Sequence, residues 1–174
     1  MRKVYTLRQK SEALWTLKQF ERDVARANGL WIKRLRSDQG GEYTGKPLRQ
    51  FCAENGIKQE ISAVYTPQQI GVAERSWRRI FEMARASMIT ANMGRRYLAG
   101  AVRSAVYCLN RAPTRPHNGG TPYKKWHGET SKLDHLRVFG CTAYFMFQSQ
   151  QRRKLDDKAW AGVLLGYDED SPSY

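Results

Sequence analysis

Residues 31–63 are predicted to form a strand, a helix and a second strand, and this order constrains the fold more than any other feature. Alternating apolar side chains predict strands over 31–36 and 57–63. Between them, residues 47–54 have the pattern of a short helix that ends at Asn55 and Gly56. Two strands joined through a helix usually pair in parallel, so an α/β fold is expected.

The other predicted elements before residue 112 are one short strand and three helices. Residues 4–7 alternate as a strand, and Ser11 is predicted to cap a helix that ends at Asn28 and Gly29. The apolar positions of this helix recur at helical spacing: Leu14, Leu17, Phe20 and Val24. A longer helix from Val72 carries the apolar stripe Trp77, Phe81, Ala84 and Met88. A helix over 96–110 is predicted to bury Leu98, Val102, Val106 and Leu109.

Two acidic residues stand beside turn-like sequences, with 35 residues between them. Asp38 lies in "LRSDQGGEY", and Glu74 lies in "YTPQQIGVAER", at the start of the long helix. Each has an ordinary explanation, since Asp and Gly are common turn residues and a first-turn Glu is favoured by the helix dipole or by pairing with Arg78. Glu74 also lies about 60° from Trp77 around the helix, so its carboxylate can face a cleft.

The charge of the chain indicates a polyanionic partner. Lys and Arg number 30 against 16 Asp and Glu, which gives a net charge of +14. Nucleic acid is favoured over membrane because the sequence has no apolar run of the length that spans a bilayer. Nine Arg and two Glu lie in 74–115, so these helices are the leading basic face. The alternative explanation is a solvated surface without a ligand.

The amino-acid composition of the sequence changes after residue 112. The stretch "APTRPHNGGTPYKKWHGE" is rich in Pro, Gly and Thr, which is typical of a linker or an extended wrapping segment. Beyond it, "LRVFGCTAYFMF" and "AGVLLGY" are predicted strands joined by a polar stretch. A small β-rich module is therefore expected from residue 133.

Four segments, in their order along the chain and with the 35-residue interval between the two acidic residues, together resemble the integrase of copia-type retrotransposons. They are "RLRSDQGGEY", "YTPQQIGVAER", "HLRVFGCTAYF" and "KLDDKAWAGVLLGY". The resemblance covers nearly the whole chain. It implies the ribonuclease H-like α/β core of the DDE polynucleotidyl transferases, here as strands 3–5 with their helices, followed by a small β-barrel-like module. The implied domains are a partial catalytic core over 1–112, a linker or wrapping segment over 113–132 and an incomplete β-rich module over 133–174.

The resemblance also implies the chemistry and the residues that perform it. Asp38 and Glu74 would be the second and third catalytic acids, which hold two Mg²⁺ (or Mn²⁺) ions for phosphoryl transfer in DNA integration. Gly40 and Gly41 would let the backbone turn sharply after Asp38, whereas Glu42 is too far round the turn to be assigned a role. The nucleic-acid contacts would come from Arg75, Arg78, Arg79, Arg85, Gln68 and Gln69. The implied partners are the DNA ends of the element, the target DNA and further copies of the integrase, with no membrane.

The sequence departs from the family pattern in ways that affect catalysis. The first catalytic aspartate of the family lies upstream of the residue that is Met1 here, so we expect a truncated core that is inactive alone. Ile70 and Gln39 stand where the family usually has Asn, and we expect the amino-terminal zinc-binding module of such integrases to be absent. One alternative is a catalytically inactive nucleic-acid-binding remnant. Another is an assembly surface that uses the exposed tryptophans Trp15, Trp77 or Trp126.

Two further expectations concern location and stability. The stretch "MRKVYTLRQK" has no apolar core of the kind found in signal peptides and the three cysteines are scattered, so an intracellular protein of the nucleus or cytoplasm is expected. In the 3-2-1-4-5 sheet order implied by the resemblance, the strand over 4–7 is separated from the strand over 31–36 by two strands. Unpaired edges and marginal stability are therefore expected.

Overall fold

The computed structural model describes residues 1–62, 71–114, 118–146 and 157–168, except for the side chain of Ala27. The chain divides into two compact units. One unit is Tyr5–Trp77, and the other combines Met1–Val4 with Arg78–Tyr174. The division into 1–112, 113–132 and 133–174 remains a prediction.

The unit Tyr5–Trp77 contains a parallel pair of strands. Its regular elements are α1 (Ala13–Phe20), β1 (Arg34–Ser37), α2 (Gly41–Thr44), α3 (Lys46–Glu54) and β2 (Lys58–Ile61). Strand β1 pairs with β2 in parallel, with Leu35 opposite Gln59, which confirms the predicted strand–helix–strand unit. Residues 31–33, 57 and 62 lie just outside these strands, and residue 63 is outside the described residues.

Helix α3 begins and ends where local signals place it. Pro47 lies in the first turn, where its missing N–H leaves no hydrogen bond unmade. The Asn55 side chain donates to the carbonyl of Phe51 at 2.9 Å, and Gly56 has a positive φ of 65°. The helix buries Leu48, Phe51 and Cys52, which form a core cluster with Ile57, packed against Leu35 of β1 and Leu14 and Leu17 of α1.

Helix α1 begins without the predicted cap. The Ser11 hydroxyl donates to the Gln9 side chain at 3.4 Å rather than capping the helix. Ser11 instead lies in a 3₁₀ turn, Lys10–Glu12, that leads into α1. Beyond Phe20 the helix continues as a π-helical turn, Glu21–Ala25, and a 3₁₀ turn that closes at Gly29, as predicted.

The second unit is a helical hairpin with a β module. Helix α4 (Gly71–Thr90) enters it from residue 78, and the other elements are α5 (Leu98–Arg111), α6 (Pro122–His127), β3 (Thr142–Met146) and β4 (Ala159–Val163). Helix α6 lies within the predicted linker and is capped by Thr121, whose hydroxyl accepts from the backbone N–H of Lys124 at 3.0 Å. Strands β3 and β4 pair antiparallel, which confirms two strands in this region. None of the described helices has the length and apolar character needed to cross a membrane.

The core of the second unit lies between α4 and α5 and differs from the predicted stripes at three positions. Its buried members are Ile80, Ala84, Met88, Ala101, Val102, Ala105, Val106, Leu109 and Phe139. Trp77 and Phe81 were expected in this core but are 45% and 42% exposed. The cluster begins only at Ile80, and Phe81 lies about 60° from Ala84 around the helix. Leu98 is also exposed, because it precedes the first α5 residue that packs in the cluster.

The predicted strand over 4–7 is wrong, since residues 1–7 have no regular secondary structure. A strand requires a backbone partner, and these residues pair with none of the described strands. The backbone of Arg2 instead bonds to the side chain of Asn110 on α5. Val4 packs against the core of the helical hairpin.

Candidate metal and nucleic-acid site

Asp38 follows β1 directly, at the carboxyl end of the parallel pair. It is exposed, and its Oδ1 accepts a hydrogen bond from the backbone N–H of Gly40 at 3.2 Å. The Gln39 side chain donates to the carbonyl of Ser62 at 3.3 Å, which ties the turn to the end of β2. The carboxylate of Asp38 is therefore open to solvent and lies on a turn that these hydrogen bonds hold in place.

The glycines after Asp38 do not serve the purpose that the sequence suggested. Neither Gly40 nor Gly41 has a positive φ, and Gly40 has φ −52° and ψ 139°. A Cβ at position 40 would lie 2.9 Å from the carboxylate of Glu42, so the Glu42 side chain approaches the backbone of Gly40 closely. Glu42 folds back over Gly40 from the first turn of α2.

Glu42 was left without a role by the sequence and belongs to the surroundings of Asp38. The pKa of the Tyr43 phenol is raised, first by burial and then by the negative charges of Asp38 and Glu42. Both carboxylates therefore raise the pKa of the same phenol. The sequence signal that could have indicated this is the spacing of Asp38 and Glu42, which lie four residues apart on either side of the start of α2.

Glu74 lies in the first turn of α4 and is exposed. Within the described part of the chain, it forms no salt bridge with Arg78 or any other residue. The described residues also contain no group of three or more His, Cys, Asp or Glu side chains able to hold a metal ion. The pairing of Asp38 with Glu74 at one metal site therefore stays a prediction.

A cavity of about 310 Å³ opens at the carboxyl ends of the two parallel strands. Arg36, Glu60, Ile61 and Ser62 line it. The Arg36 guanidinium donates to Glu60 at 2.7 Å, and this bond holds the pKa of the Glu60 carboxyl below its usual value. The buried hydroxyl of Ser37, the next residue after Arg36, has no hydrogen-bond partner among the residues that the structure describes. In α/β folds, this edge of the sheet is where ligands bind.

The four arginines predicted to contact nucleic acid all lie on α4 and are all exposed: Arg75, Arg78, Arg79 and Arg85. At about 100° per residue they span an arc of about 120° around the helix, on the side opposite the buried Ile80, Ala84 and Met88. Gln68 and Gln69, also predicted to bind nucleic acid, and Ile70 lie outside the described residues.

No ion pair within the described part of the chain neutralises the charges of these arginines. None of the four forms a salt bridge among the described residues. Arg75 folds back toward Gly71, where an added Cβ would lie 3.0 Å from its guanidinium. Glu82 is the one acidic residue within their arc. The face therefore carries four cations and one anion, which suits a polyanion.

Known proteins resemble the chain in both sequence and fold. Over 171 residues it is 37% identical to the retrovirus-related Pol polyprotein from transposon TNT 1-94 of Nicotiana tabacum, a match to 98% of this chain and 13% of that protein. Over the same length it is 33% identical to the corresponding protein from transposon RE2 of Arabidopsis thaliana, 98% of this chain and 12% of that protein. The chain thus spans a small part of the curated relatives it matches. Residues 141–174 match the family described as the retroviral polymerase SH3-like domain.

Solved integrase structures share the fold at low sequence identity. The catalytic core domain of HTLV-2 integrase, described as a trimeric form in complex with magnesium, matches with TM-score 0.50 and 19% identity, over 68% of this chain and 72% of that chain. The core domain of BIV integrase matches with TM-score 0.51 and 21% identity, over 72% and 76%. A simian T-cell lymphotropic virus intasome in complex with PP2A regulatory subunit B56 gamma matches with TM-score 0.55 and 16% identity, over 91% and 55%.

These matches agree with the parallel β1–β2 pair, the long helices and the β module of this chain. The SH3-like match begins at residue 141, just before β3, and the relatives extend over the core as well. The chain is therefore similar, over nearly its whole length, to a segment of the retrovirus-related Pol polyproteins of copia-type transposons, and it has the ribonuclease H-like fold of integrase catalytic cores together with an SH3-like small domain.

Proposed function

We propose that this chain is the DNA-binding part of an integrase and contributes two metal-binding carboxylates to the parent protein. The observation that carries the proposal is the exposed arginine face of α4, which lies opposite the core and has no salt bridges among the described residues. The metal ligands of the proposal are Asp38 and Glu74. The DNA contacts are Arg75, Arg78, Arg79, Arg85, Gln68 and Gln69.

The type of ligand suits the proposed metal, whereas the number of ligands does not complete a site. Mg²⁺ and Mn²⁺ prefer the hard oxygen ligands that carboxylates supply. Two such ions activate water or a DNA 3′-hydroxyl and stabilise the leaving oxygen in phosphoryl transfer. The described residues assemble no group of three ligands. Strand transfer therefore needs a further carboxylate from outside these residues, and we propose that the 174-residue chain is inactive alone.

The DNA partners follow from the same proposal. Arginine neutralises phosphates through paired N–H donors without reading base sequence, so the α4 face would bind element ends and target DNA alike. We extend the proposal to self-association, as in the trimeric HTLV-2 core, and to an intracellular location in the nucleus or cytoplasm. The proposed domains are a core part over 1–112, a connecting segment over 113–132 and a β module over 133–174.

A non-catalytic nucleic-acid-binding remnant is the second candidate. The arginine face favours it equally, because DNA binding does not require the metal site. Mg²⁺-dependent strand transfer on oligonucleotides separates the two candidates, once the chain is supplied within its longer parent protein.

The experiment that tests DNA binding measures affinity for duplex DNA against salt concentration. The logarithm of the affinity should fall with the logarithm of salt, by about 0.9 per neutralised phosphate, and depend little on sequence. Replacing Arg75, Arg78 and Arg79 by Ala should weaken binding and reduce the salt slope by about 2 to 3.

The matched control removes three exposed cations that lie outside α4, in the unit Tyr5–Trp77. Lys10, Lys46 and Arg49 are exposed, so their replacement by Ala changes the net charge equally without touching α4. The control should retain most of the salt slope. A flat salt response of the unaltered chain would refute the proposed function.

A further inference from the structure

The backbone of Ser62, just after β2, holds the chain on both sides of Asp38. Its N–H donates to the carbonyl of Ser37 at 3.0 Å, which continues the parallel ladder of β1 and β2 by one residue. Its carbonyl accepts a side-chain N–H of Gln39 at 3.3 Å. Ser62 is buried, so both of its backbone groups need partners inside the protein. The residues before and after Asp38 are thus attached to one point at the end of β2.

A second glutamine attaches the helix that follows Asp38 to the same strand. Gln59 lies in β2, opposite Leu35 of β1. Paired residues of neighbouring strands point to the same face of the sheet, and Leu35 packs against the core cluster of α3 on that face. There the amide of Gln59 donates to the backbone carbonyl of Tyr43 in α2. Helix α2 is therefore bonded to β2 by a side chain that comes from the strand.

The carbonyl of Tyr43 depends on this side-chain donor. In a continuous α-helix it would accept the N–H of the residue four positions later. That residue is Pro47, which has no N–H to donate. The amide of Gln59 supplies the missing donor, so the contact between α2 and β2 follows from the residue types at these three positions.

The turn between these two attachments carries the acidic residues of the candidate site. Oδ1 of Asp38 accepts the backbone N–H of Gly40, and the Glu42 side chain approaches the backbone of Gly40 closely. The Tyr43 side chain packs against the core cluster, and its phenol pKa is raised first by burial and then by Asp38 and Glu42. The phenol therefore reports how close the Asp38 carboxylate lies to α2.

We propose that Gln39 and Gln59 are positioning residues that hold the Asp38 carboxylate in a fixed place for a divalent cation. Both amides bond to backbone carbonyls rather than to the carboxylate, so they fix its position without offsetting its charge. The inference rests on the proposed function, in which Asp38 is a metal ligand, and it adds the two residues that orient this ligand.

The first test measures Mn²⁺ binding to the 174-residue chain by calorimetry. Gln39→Met and Gln59→Met keep the length of each side chain and add no charge, but they remove the N–H donor. Each should weaken Mn²⁺ binding by about tenfold, because groups that orient a metal ligand typically contribute at least that much to affinity. Gln50→Met is the matched control, since Gln50 is exposed on α3 and donates to Glu54 instead. It should leave the affinity unchanged.

The pKa of Tyr43 is the second readout, and it requires no metal. Loss of either glutamine amide loosens the turn or α2 from β2, so the average distance between the Asp38 carboxylate and the phenol should increase. The pKa should then fall toward 10.0 but stay above it, because burial is the larger cause of the shift. A role limited to stability would lower the free energy of unfolding and leave the pKa of the folded protein unchanged.

The exposed position of Gln39 keeps the test decisive even if Gln59→Met, on the core face of β2, fails to fold. An unchanged Mn²⁺ affinity in Gln39→Met would overturn the inference while the proposed function stands. A loss of affinity without a fall in the Tyr43 pKa would overturn it too, because the glutamine would then act on the metal by another route. Absence of Mn²⁺ binding in the unaltered chain would instead refute both the inference and the metal role proposed for Asp38.

Discussion

The side-chain amide of Asn110 forms two reciprocal hydrogen bonds with the backbone of Arg2. The Arg2 N–H donates to Oδ1 at 2.8 Å, and Nδ2 donates to the Arg2 carbonyl at 2.7 Å. Asn110 is fully buried. One amide thus satisfies the two backbone groups that a neighbouring strand would otherwise satisfy, and it fixes the amino-terminal residues on α5.

Removing this amide should destabilise the second unit. Asn110→Leu keeps the volume but removes the hydrogen bonds that the amide makes with the Arg2 N–H and carbonyl, so the free energy of unfolding should fall by about 2 kcal/mol. Asn110→Asp retains an acceptor but turns a negative charge toward a carbonyl, and it should destabilise as well. Denaturant unfolding measures both, with Arg103→Ala on the exposed side of α5 as control. Equal stability of Asn110→Leu and the control would contradict the role of the amide.

The sequence predicted elements whose signals are local. Pro47, Asn55 and Gly56 mark the ends of α3 by their own backbone requirements, and the strand–helix–strand order was enough for the parallel pairing. By contrast, the exposure of Trp77 depends on where α5 begins to cover α4. The sequence of α4 alone does not contain this information.

The surroundings of the candidate site were harder to predict because they depend on contacts between elements. The fold-back of Glu42 over Gly40 requires the four-residue helix α2, which has no periodic signal of its own. The environment of Arg111 joins Tyr107, Tyr123 and Ser131, which are brought together only by the packing of α5, α6 and the segment after α6. The spacing of Asp38 and Glu74 could be read directly, whereas their distance in space could not.

The phenol of Tyr43 should report the charges beside Asp38. Its pKa lies above the ordinary 10.0, first through burial and then through Asp38 and Glu42. Glu42→Gln removes one of these charges, so the pKa should fall but remain above 10.0. Nuclear magnetic resonance titration of the tyrosine rings, assigned with Tyr43→Phe, measures the shift, and Glu54→Gln on α3 is the control. An unchanged pKa in Glu42→Gln would place the Glu42 carboxylate away from the phenol.

The same shift predicts how stability depends on alkaline pH. The unfolded chain releases the Tyr43 proton near 10.0 and the folded chain only at higher pH. The contribution of the protonated phenol is therefore complete below 10.0 and is lost as the pH rises through the folded pKa. Glu42→Gln should narrow the range of alkaline pH over which this stability is lost. The free energy of unfolding measured at several alkaline pH values tests this.

Divalent metal binding should be weak and should depend on Asp38. Two clustered divalent ions need more negative ligands than two carboxylates supply, so calorimetry with Mn²⁺ should show at most one weak site. Asp38→Asn should abolish it, whereas Asp23→Asn, at an exposed position paired with Arg22, should not. Two tight sites, or binding that survives Asp38→Asn, would show that other residues hold the metal.

The backbone of β1 should be protected on one edge only. The N–H of Lys58 donates to the carbonyl of Lys33 and that of Ser62 to the carbonyl of Ser37, each at 3.0 Å. Alternate residues of a strand point their backbone groups to the same side, so Leu35 faces β2 and the N–H of Arg34 points to the other edge. Among the described residues, β2 is the one strand that pairs with β1.

Hydrogen exchange should therefore be faster at the amide of Arg34 than at that of Leu35, although the two are adjacent in one strand. In the 3-2-1-4-5 order of the proposed core, strand 1 lies beside the strand that β1 represents. A longer chain that includes strand 1 from the parent protein should slow exchange at Arg34 and leave Leu35 little changed. It should also reduce the binding of apolar dyes, because the neighbouring Trp31 is 72% exposed in the present chain. Slow exchange at Arg34 in a dye-silent 174-residue monomer, independent of protein concentration, would show that this edge is already covered.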